Sequence, residues 1–217
     1  MKIYFVAGTG TDVGKTYVTA SLIRGWRRSG RRVGAYKPVA SGCRRIADET
    51  LLQSEDADAL YEALGGEFNH QLICPQRFVA AVAPDEAARR EGRVVDEVQL
   101  NEGVDAWQPH CDTLLIEGAG GLFSPIADSM LNFDLLKALP TAELLLVAPN
   151  RLGVIHDVIA TVRAAQAEER LVQRLYLSSA DVNDDESSSS NAKQIETWCA
   201  GLEIETIAYG AEAEVLR

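Results

Sequence analysis

The run Gly8-Thr9-Gly10-Thr11-Asp12-Val13-Gly14-Lys15-Thr16 follows the apolar stretch Ile3-Tyr4-Phe5-Val6-Ala7 and leads into a helical pattern. A glycine-bearing loop between a strand and a helix, closed by Lys-Thr, is suited to cradle phosphate. Its backbone N–H groups point inward and the helix dipole adds positive potential. In such a loop Lys15 would neutralise phosphate charge and the Thr16 hydroxyl would hold Mg²⁺. The chain therefore reads as one that handles a nucleoside triphosphate. Standard spacing puts a glycine five positions before Gly14, where this chain has Thr9; the nearest glycine is Gly8, so the loop is one residue longer.

Two further strand ends carry chemistry. Val33-Gly34-Ala35-Tyr36 reads as a short strand that stops at Lys37-Pro38 and continues into Val39-Ala40-Ser41-Gly42. Thr113-Leu114-Leu115-Ile116 reads as a buried strand broken by Glu117-Gly118-Ala119-Gly120-Gly121. In a parallel sheet the carboxyl ends converge, which would gather Lys15, Lys37, Thr16 and Glu117 around one phosphate group. A carboxylate leaving a buried strand is unfavourable unless it is paired or binds a metal. Glu117 beside a triphosphate site favours Mg²⁺, with a salt bridge to a loop lysine as the alternative.

The elements needed to position these groups can be read from periodicity. Residues 16–29 form a helical pattern with Val18, Leu22, Ile23 and Trp26 on one face and Gly30 at its end. Further helices are expected over 56–64, 94–107, 133–139, 154–169 and 191–200. Further strands are expected over 143–148, 172–178 and 203–208. Residues 66–92 read as irregular, with Pro75 and Pro84, and 181–191 as a polar loop without core-forming residues. Alternating strands and helices with no internal repeat imply one α/β domain over 1–217. Its sheet is mostly parallel with helices on both faces, as in P-loop NTPases.

Composition narrows the class. The 217 residues suffice for a sizeable core, and a formal net charge of −11 disfavours nucleic acid. The basic pairs Arg27-Arg28 and Arg31-Arg32 read as a solvated helix end. Cys43, Cys74, Cys111 and Cys199 show no CxxC pairing and read as reduced thiols of a cytoplasmic enzyme. The short apolar start does not read as a signal peptide, and no apolar run reaches the roughly 20 residues of a membrane helix.

With these residues in view, the chain resembles the dethiobiotin synthetases. The resemblance rests on Gly8-Thr9 with Thr11-Asp12-Val13-Gly14-Lys15-Thr16, on Tyr36-Lys37-Pro38-Val39-Ala40-Ser41-Gly42, and on Ile116-Glu117-Gly118-Ala119-Gly120-Gly121. Weaker matches are Glu55-Asp56-Ala57, Ala83-Pro84 and Leu152-Gly153, and collinear similarity runs from about residue 1 to 165. The family's longer phosphate loop accounts for the extra residue. The resemblance implies carboxylation of 7,8-diaminononanoate with CO₂ and ATP, through a carbamate and a carbamic–phosphoric anhydride, and closure of the ureido ring of dethiobiotin. It implies Lys15, Lys37 and Thr11 as catalytic groups. Nucleotide binding would fall to Asp12, Val13, Gly14, Lys15, Thr16, Tyr17, Asp56 and Glu117, with Gly118, Ala119 and Gly120. Mg²⁺ would lie on Thr16, Asp56 and Glu117. The substrate would meet Thr11, Lys37, Ser41, Leu152, Gly153 and Val154, its carboxylate tail lying near the two-fold interface of a homodimer.

The chain departs from the family pattern in three places. Ile155-His156-Asp157 stands where the family carries an asparagine near the start of a helix. Leu177-Ser178-Ser179-Ala180-Asp181 lacks the asparagine that reads adenine, and the chain stops soon after Tyr209-Gly210. The alternatives are a related P-loop amidoligase with another substrate, or a partitioning-type ATPase. The latter carries a lysine five residues before Lys15, where this chain has Gly10.

Overall fold

The apolar run at the start forms β1 (Lys2–Gly8), buried after Lys2 on both its faces, as a central parallel strand must be. In this computed structural model, which describes residues 1–46, 51–179 and 186–213, the chain continues into α1 (Lys15–Arg28), β2 (Val33–Tyr36) and the short β3 (Val39–Ala40). Then come α2 (Glu55–Ala63), α3 (His70–Ile73), β4 (Gln76–Arg77), α4 (Pro84–Arg90), α5 (Glu97–Asp105) and β5 (Thr113–Gly121). The remainder is β6 (Pro125–Ala127), β7 (Met130–Leu131), α6 (Asn132–Lys137), β8 (Glu143–Pro149), α7 (Val154–Ala167), β9 (Val172–Ser178), α8 (Ser188–Trp198) and β10 (Glu203–Ile207).

Six strands form one parallel sheet in the order β10-β9-β8-β1-β5-β2. From β1 the chain moves outward to β2, whereas from β8 it moves the other way to β9 and β10. Right-handed crossovers in opposite directions place their helices on opposite faces, and the reversal falls beside β1. Side-chain parity records this. Leu145, Val147 and Tyr176 share a core with Val18, Leu22, Ile23 and Trp26 of α1. Their sequence neighbours Leu146, Ala148, Leu175 and Leu177 share a second core with Val154, Val158 and Val162 of α7 and Ile195 of α8. The expected doubly covered parallel sheet is what forms.

Several expected boundaries move, each for a physical reason. β5 is not broken at Glu117 but runs on to Gly121. Its pairing with β1 slips between Val6↔Glu117 and Gly8↔Gly121, so the glycines bulge while the strand continues. The segment 66–92 is not irregular throughout, since it holds α3, β4 and α4. Arg77 organises it: buried, it donates to the carbonyls of Cys74 (3.0 Å), Leu52 (2.6 Å) and His70 (2.8 Å). One guanidinium thus supplies order that apolar periodicity does not. The polar run near 187–190 opens α8 instead of remaining a loop. Ser188 and Asn191 are buried there, donating to the backbone and side-chain oxygens of Asn150 at 2.9 and 3.0 Å. Residues 181–185 of that expected loop lie outside the described residues. The basic helix end is solvated as expected, with Arg27, Arg28 and Arg32 paired to Glu67, Glu212 and Asp112. No helix among the described residues is long and apolar enough to cross a membrane.

All four cysteines are buried and unpaired. Burial pushes the Cys74 thiol up to about 12 and the Cys111 thiol up to about 11. Both thiols should therefore resist iodoacetamide at pH 8 while the chain is folded, and react readily once guanidinium unfolds it. Because the folded-state values lie above the ordinary thiol value of 9.0, the stabilisation from keeping them protonated is complete below that pH. It is lost as pH rises through about 11 to 12. Mass mapping of alkylated peptides, with thermal midpoints falling above pH 9, checks this.

Candidate active site

The phosphate loop links the end of β1 to α1 at the point where the sheet reverses direction. Gly8 has no room for a side chain: an added Cβ would lie 2.6 Å from the Gly10 carbonyl oxygen and 2.8 Å from Val13 Cγ2. This tight fold-back lets the longer loop close without a glycine at position 9. Gly14 sits at φ +93°, and a Cβ there would lie 2.9 Å from Ser178 Oγ at the end of β9. Gly14 is also the N-cap of α1, so no side chain caps the first turn and its N–H groups face the loop's concavity. Lys15 bends back over the loop and donates to the Gly10 carbonyl at 3.0 Å. Burial, and then the neighbouring Lys37, lower its pKa to about 8.

Lys37 follows β2 and is held there by its backbone N–H, which donates to Ile73 O at 2.7 Å. The residue is 2% exposed. The ammonium lies 2.7 Å from Asp56 Oδ2, 2.8 Å from Glu117 Oε1 and 3.3 Å from Gly118 O. Burial opposes this charge, but Glu117 and Asp56 more than offset it and hold Lys37 well above the usual lysine range. In return Lys37 holds the Asp56 carboxyl down at about 2, against the opposing effect of burial. Asp56 reaches the site from the first turn of α2, whose N-cap Ser54 accepts from Ala57 N–H. Glu117 is fully buried. Thr16 Oγ stands 2.7 Å from Asp56 Oδ1 and 2.7 Å from Glu117 Oε1, although one hydroxyl proton can satisfy only one of them at a time. Glu117 Oε2 is buried with no hydrogen-bond partner. The cluster is thus rich in oxygen lone pairs and short of protons. Oxygen-only donors with an orphaned carboxylate oxygen fit a hard divalent cation such as Mg²⁺.

A cavity of about 840 Å³ opens over this cluster. Residues 11–17 of the loop and α1 line it together with Lys37, Ser41, Asp56, Ala119 and Gly120, so most of the expected site is brought together. Ser41 donates to Val82 O at 2.6 Å, which leaves its lone pairs toward the cavity. Glu117 and Gly118 stand behind the wall. Leu152, Gly153 and Val154 do not join the cavity. Leu152 is exposed, Gly153 caps α7 at φ +95°, and Val154 is buried against α7's own core. Their expected place is beside the substrate's carboxylate tail, near a two-fold interface with a second copy of the chain.

Sequence reasoning missed three contributors. Arg44, paired with Glu55, and Ser124 also line the cavity, and no motif flags either. Asn132, 1% exposed at the start of α6, braces the bulge after Glu117. Its amide donates to Ala119 O (2.7 Å) and Gly121 O (2.8 Å) and accepts from Ala119 N (3.1 Å). A Cβ on Gly118 would meet its Oδ1 at 2.7 Å, so the glycine and the asparagine need each other. The signal available in the sequence was only a polar residue opening a short apolar helix.

A parallel sheet with a glycine loop, Lys-Thr and helix at its point of reversal defines a P-loop nucleotide-hydrolase fold, and residues 2–198 match the AAA domain family. The MinC:MinD cell division protein complex of Aquifex aeolicus shares the fold at a TM-score of 0.53 and 14% identity, over 96% of this chain and 81% of that one. That likeness shows the fold alone. Sequence relatives are nearer. A Rhodopirellula baltica protein named ATP-dependent dethiobiotin synthetase BioD is 48% identical over 206 residues, 91% of this chain and 80% of the relative. A Phenylobacterium zucineum protein of the same name is 39% identical over 183 residues, 82% of this chain and 76% of the relative. The chain belongs to the dethiobiotin synthetase family and is an ATP-dependent ligase.

Replacing Asn132 by alanine strips three hydrogen bonds from the buried bulge and leaves backbone groups unsatisfied. Asn132→Ala should lose about 2–3 kcal/mol of stability in denaturant unfolding. The cavity wall should loosen with it, because Ala119 and Gly121 lose their partner on either side of Gly120. Unchanged stability would mean that the bulge is held by other contacts.

Proposed function

We propose that the chain catalyses the ATP-dependent carboxylation of 7,8-diaminononanoate and closes the ureido ring of dethiobiotin, a step of biotin synthesis. The observation that carries this reading is the convergence of two lysines, Lys15 and Lys37, on one cavity floored by a phosphate loop. The reaction brings a carbamate oxygen against the γ-phosphate, so two anionic groups must approach each other. Fixed positive charge in a water-poor site favours such an approach in the transition state. Lys15 is the group that serves the phosphates, and phosphate contact keeps it protonated despite the lowering by burial. Lys37 is the group that reaches both the carbamate and the transferring phosphoryl group. Thr11 and Ser41 line the same cavity and orient the substrate amines by hydrogen bonding. When bound, Mg²⁺ neutralises charge on the nucleotide phosphates, with Thr16, Asp56 and Glu117 as the residues that hold it.

In sequence, one amine captures CO₂ as a carbamate and the carbamate oxygen attacks the γ-phosphate, releasing ADP. The second amine then attacks the carbonyl of the carbamic–phosphoric anhydride and releases phosphate. The placement of Leu152, Gly153 and Val154 away from this chain's cavity supports a homodimer in which that helix start serves the partner's substrate tail. Four buried thiols and the acidic surface support a cytoplasmic setting without nucleic-acid or membrane partners. No asparagine stands at the end of β9, where Ser178 packs against Gly14, and this favours loose reading of the base.

The test is incorporation of ¹⁴C-labelled CO₂ with diaminononanoate and each of ATP, CTP, GTP and UTP, the product being identified by mass. Label should enter dethiobiotin with every triphosphate, at kcat/KM values within about tenfold of one another, equivalent to about 1.4 kcal/mol. Nucleotide hydrolysis driven by another amine, with none driven by diaminononanoate, would favour the amidoligase alternative.

A further inference from the structure

One cation already occupies the carboxylate pair that the proposed function assigns to Mg²⁺. Lys37 Nζ spends its three N–H donors on Asp56 Oδ2, Glu117 Oε1 and Gly118 O, at 2.7, 2.8 and 3.3 Å. Thr16 Oγ touches the same Glu117 Oε1 and the other oxygen of Asp56, both at 2.7 Å. Mg²⁺ binds its oxygens at about 2.0–2.1 Å. An ion on Glu117 Oε1 would therefore stand within about 5 Å of Nζ, given the 2.8 Å contact that Nζ makes to that oxygen. Two like charges that close repel, and the deep burial of Lys37 and Glu117 strengthens the repulsion.

We propose that the Lys37 ammonium and the divalent cation compete for the Asp56–Glu117 pair, so that metal entry and release of Lys37 into the cavity are one event. The proposal rests on the metal assignment above. Lys37 has somewhere to go: it lines the cavity, and its four-carbon stem is flexible. In the cavity the freed ammonium meets the reacting anions, which is where the proposed chemistry needs it. The exchange gives metal binding a direction. With no anionic ligand in the cavity, Lys37 holds the carboxylates and the metal binds weakly. With nucleotide and carbamate present, the anions draw Lys37 off and the carboxylates accept the metal. One lysine thereby ties loading of the metal to arrival of the groups that the metal serves.

The probe is Mn²⁺ alone, without nucleotide, titrated against the full chain while electron paramagnetic resonance reads the free ion. Lys37→Gln should bind Mn²⁺ at least about tenfold more tightly than the parent, the least expected from removing a like charge so close to the ion. Lys37→Arg, which keeps the charge, should bind no more tightly than the parent. The gain should vanish in Lys37→Gln/Asp56→Asn. Circular dichroism confirms folding, and Lys37→Met takes the place of the glutamine variant if that one unfolds. Equal or weaker Mn²⁺ binding by the folded neutral variants would overturn the proposal. The metal assignment would still stand if the parent binds Mn²⁺ with ATP and Asp56→Asn abolishes that binding. Indifference of Mn²⁺ to Asp56→Asn in both settings would overturn the two together.

Discussion

A buried carboxylate in a central strand, at the point where the strand's pairing slips, is the constraint around which the rest of this molecule is arranged. Glu117 is fully shielded from water, and an isolated charge there would be untenable. Lys37 answers it from the neighbouring strand β2, Thr16 from the first turn of α1, and Asp56 joins from α2 to hold the lysine's remaining charge. Each partner arrives on a different element, and all meet only because three parallel strands end on the same edge. The sheet order β8-β1-β5-β2 is therefore what makes the ion cluster, and the ion cluster in turn fixes where α2 can lie.

The supporting structure is organised for the same end. The bulge after Glu117 presents Ala119 and Gly120 to the cavity while Asn132 holds the backbone of Ala119 and Gly121. Arg77 ties residues 52, 70 and 74 together, and so steadies the approach to Ser54 and Asp56. The far end of the chain is tied back as well: Ala211 O accepts from the Tyr17 hydroxyl, and Ala213 N–H donates to Ser21 Oγ. The first two turns of α1, just beyond the phosphate loop, are thereby tied to the C-terminal segment. Charge complementarity and buried hydrogen bonds, more than apolar contact, decide the geometry around the cavity.

What could be read beforehand was whatever a local pattern encodes. The parallel sheet, α1, α7 and the lysines at strand ends follow from apolar runs, helical spacing and glycine turns. The same patterns placed Lys15, Thr16, Lys37 and Glu117 on one edge. The irregular reading of 66–92 failed because a buried arginine orders that segment, and its partners are up to 25 residues away. The polar run near Ser188 was misread because Asn150, 38 residues earlier, supplies the buried partner. Asn132 and Arg44 were invisible for the same reason: their roles exist only once distant segments have met. The place expected for Leu152, Gly153 and Val154, at the substrate's tail near a two-fold interface, came from resemblance, since no local pattern encodes contact with a second copy.

Lys37 and Glu117, 2.8 Å apart, form one energetic unit. A double-mutant cycle with Lys37→Met and Glu117→Gln, read by reversible denaturant unfolding, tests it most directly. Lys37→Met leaves the buried Glu117 unanswered and should lose about 3–5 kcal/mol, Glu117→Gln leaves Lys37 with Asp56 alone and should lose less, and the double substitution should lose far less than the sum. Losses that simply add would contradict the account, because two residues that do not depend on each other cannot be what the site is built around.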